Sequence, residues 1–137
     1  MKSLSHSDDG AEAREQCQYE SIVRIQSTTV PGVTFDIHRM SFGRRMELSR
    51  HIRQISRKVE FCEAGSQFQE KIEASILALE VDALYFRWGL ARIEGLTIDG
   101  EPPSVLAVLE KGPEDLTREI VRAIKQQCGL NDAERKN

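Results

Sequence analysis

The chain has little of what would place it in a membrane or in an oxidising compartment. Its 137 residues contain no apolar run that approaches the roughly 20 residues of a membrane-spanning helix. Residues 1–20 lack the apolar core of a secretory signal. Cys17, Cys62 and Cys128 are odd in number and far apart, and no two of them form a Cys-x-x-Cys pair, so we expect free thiols. We therefore expect a protein that is made and kept in a cytosol.

The sequence also lacks the residue patterns of common catalytic and cofactor sites. Its histidines have no metal-ligand spacing, and its scattered glycines form no phosphate-binding loop. There is no Gly-x-Ser-x-Gly elbow, and no Cys/His pair has a family signature. We therefore predict no catalytic residue, no cofactor and no metal, which argues against an enzyme.

What is present fits one globular domain with polar ends. Hydrophobic residues make up 39% of the chain and charged residues 30%, which is enough for one modest core. Residues 1–18 are rich in Ser, Asp and Glu and predict a disordered acidic arm. Residues 19–130 form the predicted single α+β domain, and residues 131–137 a frayed polar tail.

Two short apolar runs predict a β-hairpin near the start of the domain. The runs lie at residues 22–25 and 33–37, and the second alternates apolar with polar residues, which is the period of a half-buried strand. Residues 29–32 read Thr-Val-Pro-Gly, a turn signal. A further strand is predicted at residues 96–98, before the turn pair Asp99-Gly100, and it could complete a three-stranded sheet.

Cap and stop residues delimit the predicted helices. Ser41 and Gly65 bound the first, and Ser66 begins a second that we expect to run to about Glu94. A short helix at residues 104–111 and another between Gly112 and Gly129 follow. The predicted fold class is α+β, with a small antiparallel hairpin or three-stranded sheet packed on a bundle of three to four helices.

The first predicted helix carries two opposed stripes. At about 100° per residue, one face holds an apolar seam and the other a basic stripe formed by Arg50, Arg53 and Arg57. Residues 38–58 contain seven Lys/Arg against one acid, so this segment is +6 in a chain of net charge −3. The seam consists of Leu48, Ile52, Ile55, Val59 and Cys62.

The basic stripe allows three interpretations. It can be a solvated face that keeps the helix soluble, a contact for a protein partner, or a phosphate-binding surface for nucleic acid. The acidic net charge and the absence of aromatic residues within the stripe argue against nucleic acid.

The second predicted helix is apolar on two opposite faces, so it must be covered on both sides. It is therefore either the central helix of the domain or a bridge between the domain and a partner. One face consists of Phe68, Ile72, Ile76, Leu79, Ala83, Phe86, Leu90 and Ile93, and the other of Leu77, Val81, Leu84 and Trp88. The second face either packs under the C-terminal helices or docks a helical partner, and on the latter reading Leu77, Leu84 and Trp88 are the candidate contacts.

The order of these elements resembles that of the tail assembly chaperones of long-tailed bacteriophages. A hairpin containing the run Gly-Val-Thr-Phe-Asp-Ile (residues 32–37) leads into a charged helix, then a long apolar helix and a polar tail. The similarity covers roughly residues 22–93. The resemblance implies a small α-rich protein of the bacterial host cytoplasm that coats an aggregation-prone tape-measure protein and hands it to the tail-tube protein.

We therefore expect a non-enzymatic assembly factor with an elongated helical client, possible self-association and no membrane contact. On this hypothesis the basic stripe meets acidic stretches of the client, and Leu77, Leu84 and Trp88 cover its apolar stretches. The alternatives are a small nucleic-acid-binding accessory protein that uses the basic helix, and a head–tail connector adaptor, which would form a closed ring.

Overall fold

A computed structural model describes residues 16–64 and 68–129, with the side chains of residue 56 and of residues 58–64 and 68 left undescribed. The described residues form three strands and four helices, which confirms the predicted α+β fold. In chain order they are β1 (Ile22–Gln26), β2 (Thr34–His38), α1 (Phe42–Ala64), α2 (Phe68–Gly89), β3 (Leu90–Glu94), α3 (Val105–Lys111) and α4 (Glu114–Gln127).

Several predictions from the sequence fall outside the described part of the chain. Residues 1–15 of the predicted arm and the whole tail at 131–137 are among them. So are the predicted stop at Gly65, the predicted cap at Ser66, and the side chains of Val59 and Cys62 in the apolar seam.

The three strands form an antiparallel sheet in the order β1-β2-β3, and the predicted hairpin is confirmed. Ile25 pairs with Phe35, and Phe35 pairs in turn with Ile93. The turn between β1 and β2 closes where the Ser27 amide donates to the Val33 carbonyl at 2.8 Å. Gly32 supplies the positive φ (+86°) that this turn requires.

The prediction for the third strand was wrong in position. Sequence reasoning continued α2 to about Glu94, because Leu90 and Ile93 fit its apolar helical face. In the structure α2 ends at Gly89 and β3 begins at once with Leu90. Pairing with the central strand β2 outweighs helical periodicity here, since it satisfies the backbone of β3 and buries Leu90. Residues 96–98 form no strand of the sheet; Ile98 only bridges to Glu101 around the predicted Asp99-Gly100 turn.

The core lies between the inner face of the sheet, the C-terminal half of α2 and the two last helices. In α1, Leu48 is a buried core residue, and Ile52 is partly buried against the core. On α4 the side chains of Leu116, Ile120 and Ile124 are buried, as is Cys128 just after the helix, and Ala123 is half-buried. The largest fully buried side chains are Val33, Phe35, Ile37, Phe86, Val108, Leu116, Ile120 and Ile124.

A single carboxylate ties the hairpin turn to α4. Glu119 accepts hydrogen bonds from the Ser27 hydroxyl at 2.7 Å, the Thr28 amide at 2.8 Å and the Thr28 hydroxyl at 3.0 Å. Ser27 in turn accepts from the amides of Thr29 and Val30. Partial burial alone would raise the pKa of Glu119, but the hydrogen bonds from Ser27, Thr28 and Thr29 outweigh it and lower the pKa to about 2.

We expect Glu119→Gln to lower the free energy of unfolding by about 2 kcal/mol at pH 7, because the amide loses charge-assisted hydrogen bonds. The folded-state pKa lies below the ordinary value of 4.5. The contribution of Glu119 is therefore complete above about pH 5 and is lost as the pH falls toward 2. Urea unfolding of both proteins across this range measures the difference. Glu110→Gln, at an exposed position of α3, is the control, and a wild-type advantage that persists unchanged at pH 2 would contradict the assignment.

Gly95 permits a close approach of two turns. Its φ is +85°, and a Cβ atom there would collide with the carbonyl oxygen of Gly32. We expect Gly95→Ala to cost at least about 3 kcal/mol, because backbone strain and a backbone collision add. Gly100 has a similar φ of +83° and open space around it, so Gly100→Ala should cost only about 1–2 kcal/mol. Equal losses of thermal stability in the two variants would rule out the collision.

Candidate interaction surface

The N-terminal half of α1 is fixed against the end of α2 by polar contacts around Trp88. The Arg44 guanidinium lies 4.2 Å from the centroid of the Trp88 ring and donates to the Trp88 carbonyl at 2.5 Å. The indole Nε1 of Trp88 donates to Glu47 at 3.1 Å. The predicted cap is confirmed, since the Ser41 hydroxyl accepts from the Arg44 amide at 3.2 Å. These contacts show which side of α2 faces α1.

The face of α2 that contains Leu77, Leu84 and Trp88 is therefore the side covered by α1. Leu77 is only 7% exposed, and Leu84 and Trp88 are half-buried against the core. The sequence left two alternatives open for this face of α2, and the structure favours packing within the domain. The element that covers the face is chiefly α1, and not the C-terminal helices. Partner contact by Leu77 would require the two helices to separate.

The exposed apolar residues of α2 lie on its opposite face. Ile72, Ile76 and Leu79 are 45%, 46% and 55% exposed. One and two turns later the same face holds Ala83, which is half-buried, and Phe86, which is fully buried in the core with the last two helices and the sheet. This apolar face is therefore buried in the core at the C-terminal end of α2 and exposed to solvent toward the N-terminal end. We call Ile72, Ile76 and Leu79 the apolar stripe.

The arginines predicted for partner binding are exposed. Arg50, Arg53 and Arg57 lie on the side of α1 that faces away from its buried seam residue Leu48. None of the three forms a hydrogen bond or ion pair with another described residue. Because α2 packs on the seam side of α1, the arginines and the apolar stripe occupy opposite outer sides of the pair of helices.

The outer face of the sheet carries a balanced charge cluster. Arg24 and Arg92 each contact both Asp36 and Glu94, at distances of 3.0 to 3.5 Å. The hydrogen bond from Arg24 lowers the pKa of Asp36 despite its burial. Two positive and two negative charges satisfy one another here, so this face offers a partner little net charge.

Chemistry-bearing groups are sparse in the part of the chain that the structure describes. Among those residues, no group of three or more His, Cys, Asp or Glu side chains could hold a metal ion. Burial raises the pKa of the Cys128 thiol, which disfavours the reactive thiolate. None of the described helices is both long and apolar enough to cross a bilayer.

Comparison of the chain with protein-family models, curated proteins and solved structures finds no match.

Sequence reasoning found both apolar faces of α2 but singled out the one that α1 covers. The signal for the other face was present, since Ile72, Ile76 and Leu79 share a helical face with Phe86. The sequence does not show how far along α2 this face is buried by other elements. The C-terminal helices bury Phe86 and leave Leu79 exposed.

We expect Trp88→Ala to destabilise the domain by about 2–3 kcal/mol, because it removes a half-buried ring, a cation–π contact with Arg44 and a hydrogen bond with Glu47. The neighbouring Arg87 is exposed, so Arg87→Ala should change stability by less than about 0.5 kcal/mol. Chemical unfolding measures both. An unchanged stability in Trp88→Ala would return this side chain to the candidate partner contacts.

Proposed function

We propose that the chain is a non-enzymatic assembly chaperone of the phage tail type, which binds an elongated helical client in the bacterial cytoplasm. The observation that carries the proposal is the apolar stripe, formed by three large side chains that are each about half exposed. Continuous exposed apolar surface on a small domain is typical of a site for another chain.

The shape of the stripe fits a helical client. Ile72, Ile76 and Leu79 are spaced by four and three residues, so they form a ridge about two turns long on one side of α2. A client helix with apolar residues at the same spacing can pack along this ridge. Chains rich in such helices expose them before assembly, and covering them prevents aggregation.

Two further observations support the phage-chaperone type of partner. The order of elements on which the resemblance depends (hairpin, charged helix, long apolar helix) is the order found in the structure. The domain also places its apolar stripe outside the main core, so a client can bind without unfolding it. The client proposed is a tape-measure-like protein, and the tail-tube protein is the proposed recipient.

The arginines do not belong to the same client site. They lie on the opposite outer side of the two helices, so one straight client helix cannot contact both the arginines and the apolar stripe. Acidic stretches of a client would need to reach α1 separately.

The test is co-expression of the chain with the protein encoded by the neighbouring long reading frame. We expect the client to become soluble and to co-elute with the chain on size-exclusion chromatography. The joint substitution Ile72→Gln, Ile76→Gln and Leu79→Gln should weaken this binding at least about tenfold, because it removes apolar area from the contact. Leu106→Gln is the matched control, since Leu106 is 51% exposed and lies on α3. A client that stays insoluble with the wild-type chain would refute the proposal.

A nucleic-acid-binding accessory role is the second candidate, favoured by one observation: three exposed arginines on one helix face form no ion pair within the part of the chain that the structure describes. Such a surface would bind phosphates with an affinity that falls steeply with salt. Titration with a labelled duplex at several salt concentrations tests it. Binding that disappears when Arg50, Arg53 and Arg57 become glutamine would support this role, and no binding at low salt would dismiss it.

A further inference from the structure

We infer that the outward side of α1 is a docking surface for an acidic helical segment of another protein chain. This surface, which we call the α1 outer face, has an apolar end and a basic end. It consists of Phe42, Met46, Arg50, Arg53 and Arg57. Because it lies away from the apolar stripe of α2, the inference does not depend on the proposed client site, and its test stands apart from that of the proposed function.

The five residues share one face because their spacing follows the period of the helix. Steps of four, four, three and four residues keep them within about 80° of one another at about 100° per residue. The buried Leu48 lies on the opposite side of α1. From Phe42 to Arg57 the face is about 22 Å long, or about four turns. A partner helix of ordinary length can therefore lie along all of it.

Two large apolar side chains are exposed in the first two turns of α1. Phe42 is 83% exposed and Met46 is 46% exposed, and neither is among the described residues that pack against the core. Tyr19, which is 66% exposed, lies at the same end, because the adjoining Glu20 carbonyl accepts from Arg39 at 2.8 Å just before α1. A single exposed apolar side chain is ordinary, but several together at one end of a helix are typical of an interface.

The arginines of the α1 outer face differ from other arginines of the same helix. Arg44 and Arg45 each donate to a backbone carbonyl of another element. Arg50, Arg53 and Arg57 have no such acceptor among the described residues. They are spaced by three and four residues, so like charges are neighbours on the helix surface, which destabilises the helix. Carboxylates of a partner would remove this repulsion and gain ion pairs.

The composition of the face favours a protein partner over nucleic acid. Aromatic residues, methionine and arginine are the residue types that are enriched in protein–protein interfaces, whereas lysine is depleted there. The backbone of a duplex would contact the arginines and leave Phe42 and Met46 unburied. The partner that fits is a helix with apolar residues at one end and carboxylates about 14 Å further along, which is the mean separation of the two ends of the face.

A designed peptide tests the inference. It has about 20 residues, with glutamates in its N-terminal half, where they suit the helix dipole, and leucines on one side of its C-terminal half. Titrated at low ionic strength with the full chain, the labelled peptide should bind at least about tenfold more tightly than a scrambled peptide of the same composition. Salt at about 0.5 M should weaken the binding without abolishing it, because the apolar contact is not screened. No binding of the ordered peptide at low salt would overturn the inference.

Substitutions in the full chain separate the two ends of the face. Phe42→Ser with Met46→Gln should raise the dissociation constant of the peptide at least about tenfold and leave its salt dependence unchanged. Arg50→Gln with Arg53→Gln and Arg57→Gln should raise it about tenfold and remove most of the salt dependence.

Matched controls for both sets lie elsewhere on the domain. Leu106→Gln on α3 and Arg122→Gln on α4 change exposed side chains of the same kinds, and we expect neither to alter the affinity. Circular dichroism verifies that each variant is folded. An affinity that is the same in the α1 variants as in the wild-type chain would overturn the inference.

Other occupants of the face would give different results, each of which contradicts the inference. Peptide binding that is lost in the glutamine variant of the apolar stripe, with the α1 variants unaffected, would assign the peptide to the client site. Binding only after Asp8→Asn, Asp9→Asn, Glu12→Gln and Glu15→Gln would show that the chain's own N-terminal segment occupies the face. Retention of the chain on phosphatidylglycerol vesicles, without binding of the peptide, would assign the face to a bilayer surface.

Discussion

The two-sided burial of the C-terminal half of α2 is the constraint on which the other elements depend. On one side Trp88 holds α1 through Arg44 and Glu47, and on the other Phe86 lies in the core with the sheet and the last helices. At Gly89 the helix passes so close to α4 that a Cβ atom would lie 2.6 Å from the Ile124 side chain. A bulkier residue there would push α4 away from the helix that it covers.

The same constraint explains where an interaction surface can be. The side of α2 that faces α1 is buried well into the N-terminal half of the helix, where Ala74 and Leu77 are both buried. The opposite side is covered only near its C-terminal end. On α2, exposed large apolar side chains are thus found at the N-terminal part of one face, and Arg50, Arg53 and Arg57 lie on the outer side of the neighbouring helix. Two faces of different chemistry on opposite sides suit a protein that binds unlike partners simultaneously.

Much of the fold could be predicted from the sequence because local signals agreed with the final structure. The Pro-Gly turn before β2, the cap at Ser41 and the periodicity of α4 each specify their element without help from distant residues. The position of β3 could not be predicted in this way. Leu90 and Ile93 fit a helix face and a strand equally well, and only pairing with β2 decides between them. Gly89 was the one local sign of a break.

The candidate surface was only partly predictable for a related reason. Exposure of Arg50, Arg53 and Arg57 follows from their charge and periodicity, because burying three unpaired guanidinium groups is too costly. Which apolar face of α2 stays open depends on how far other elements reach along it. How much of the face is buried depends on tertiary packing, which cannot be inferred from the residue periodicity of a single helix.

The bonds from Glu119 to Ser27 and Thr28 join positions 92 and 91 residues apart. Chains emerge from the ribosome at roughly 5–20 residues per second, N-terminal part first. For several seconds of synthesis the hairpin turn therefore exists without the carboxylate that anchors it, and β2 lacks the helix that covers its inner face. An unpaired strand edge and an uncovered apolar surface coexist during that interval, so the nascent chain itself passes through a period of aggregation risk that ends only when α4 has been made.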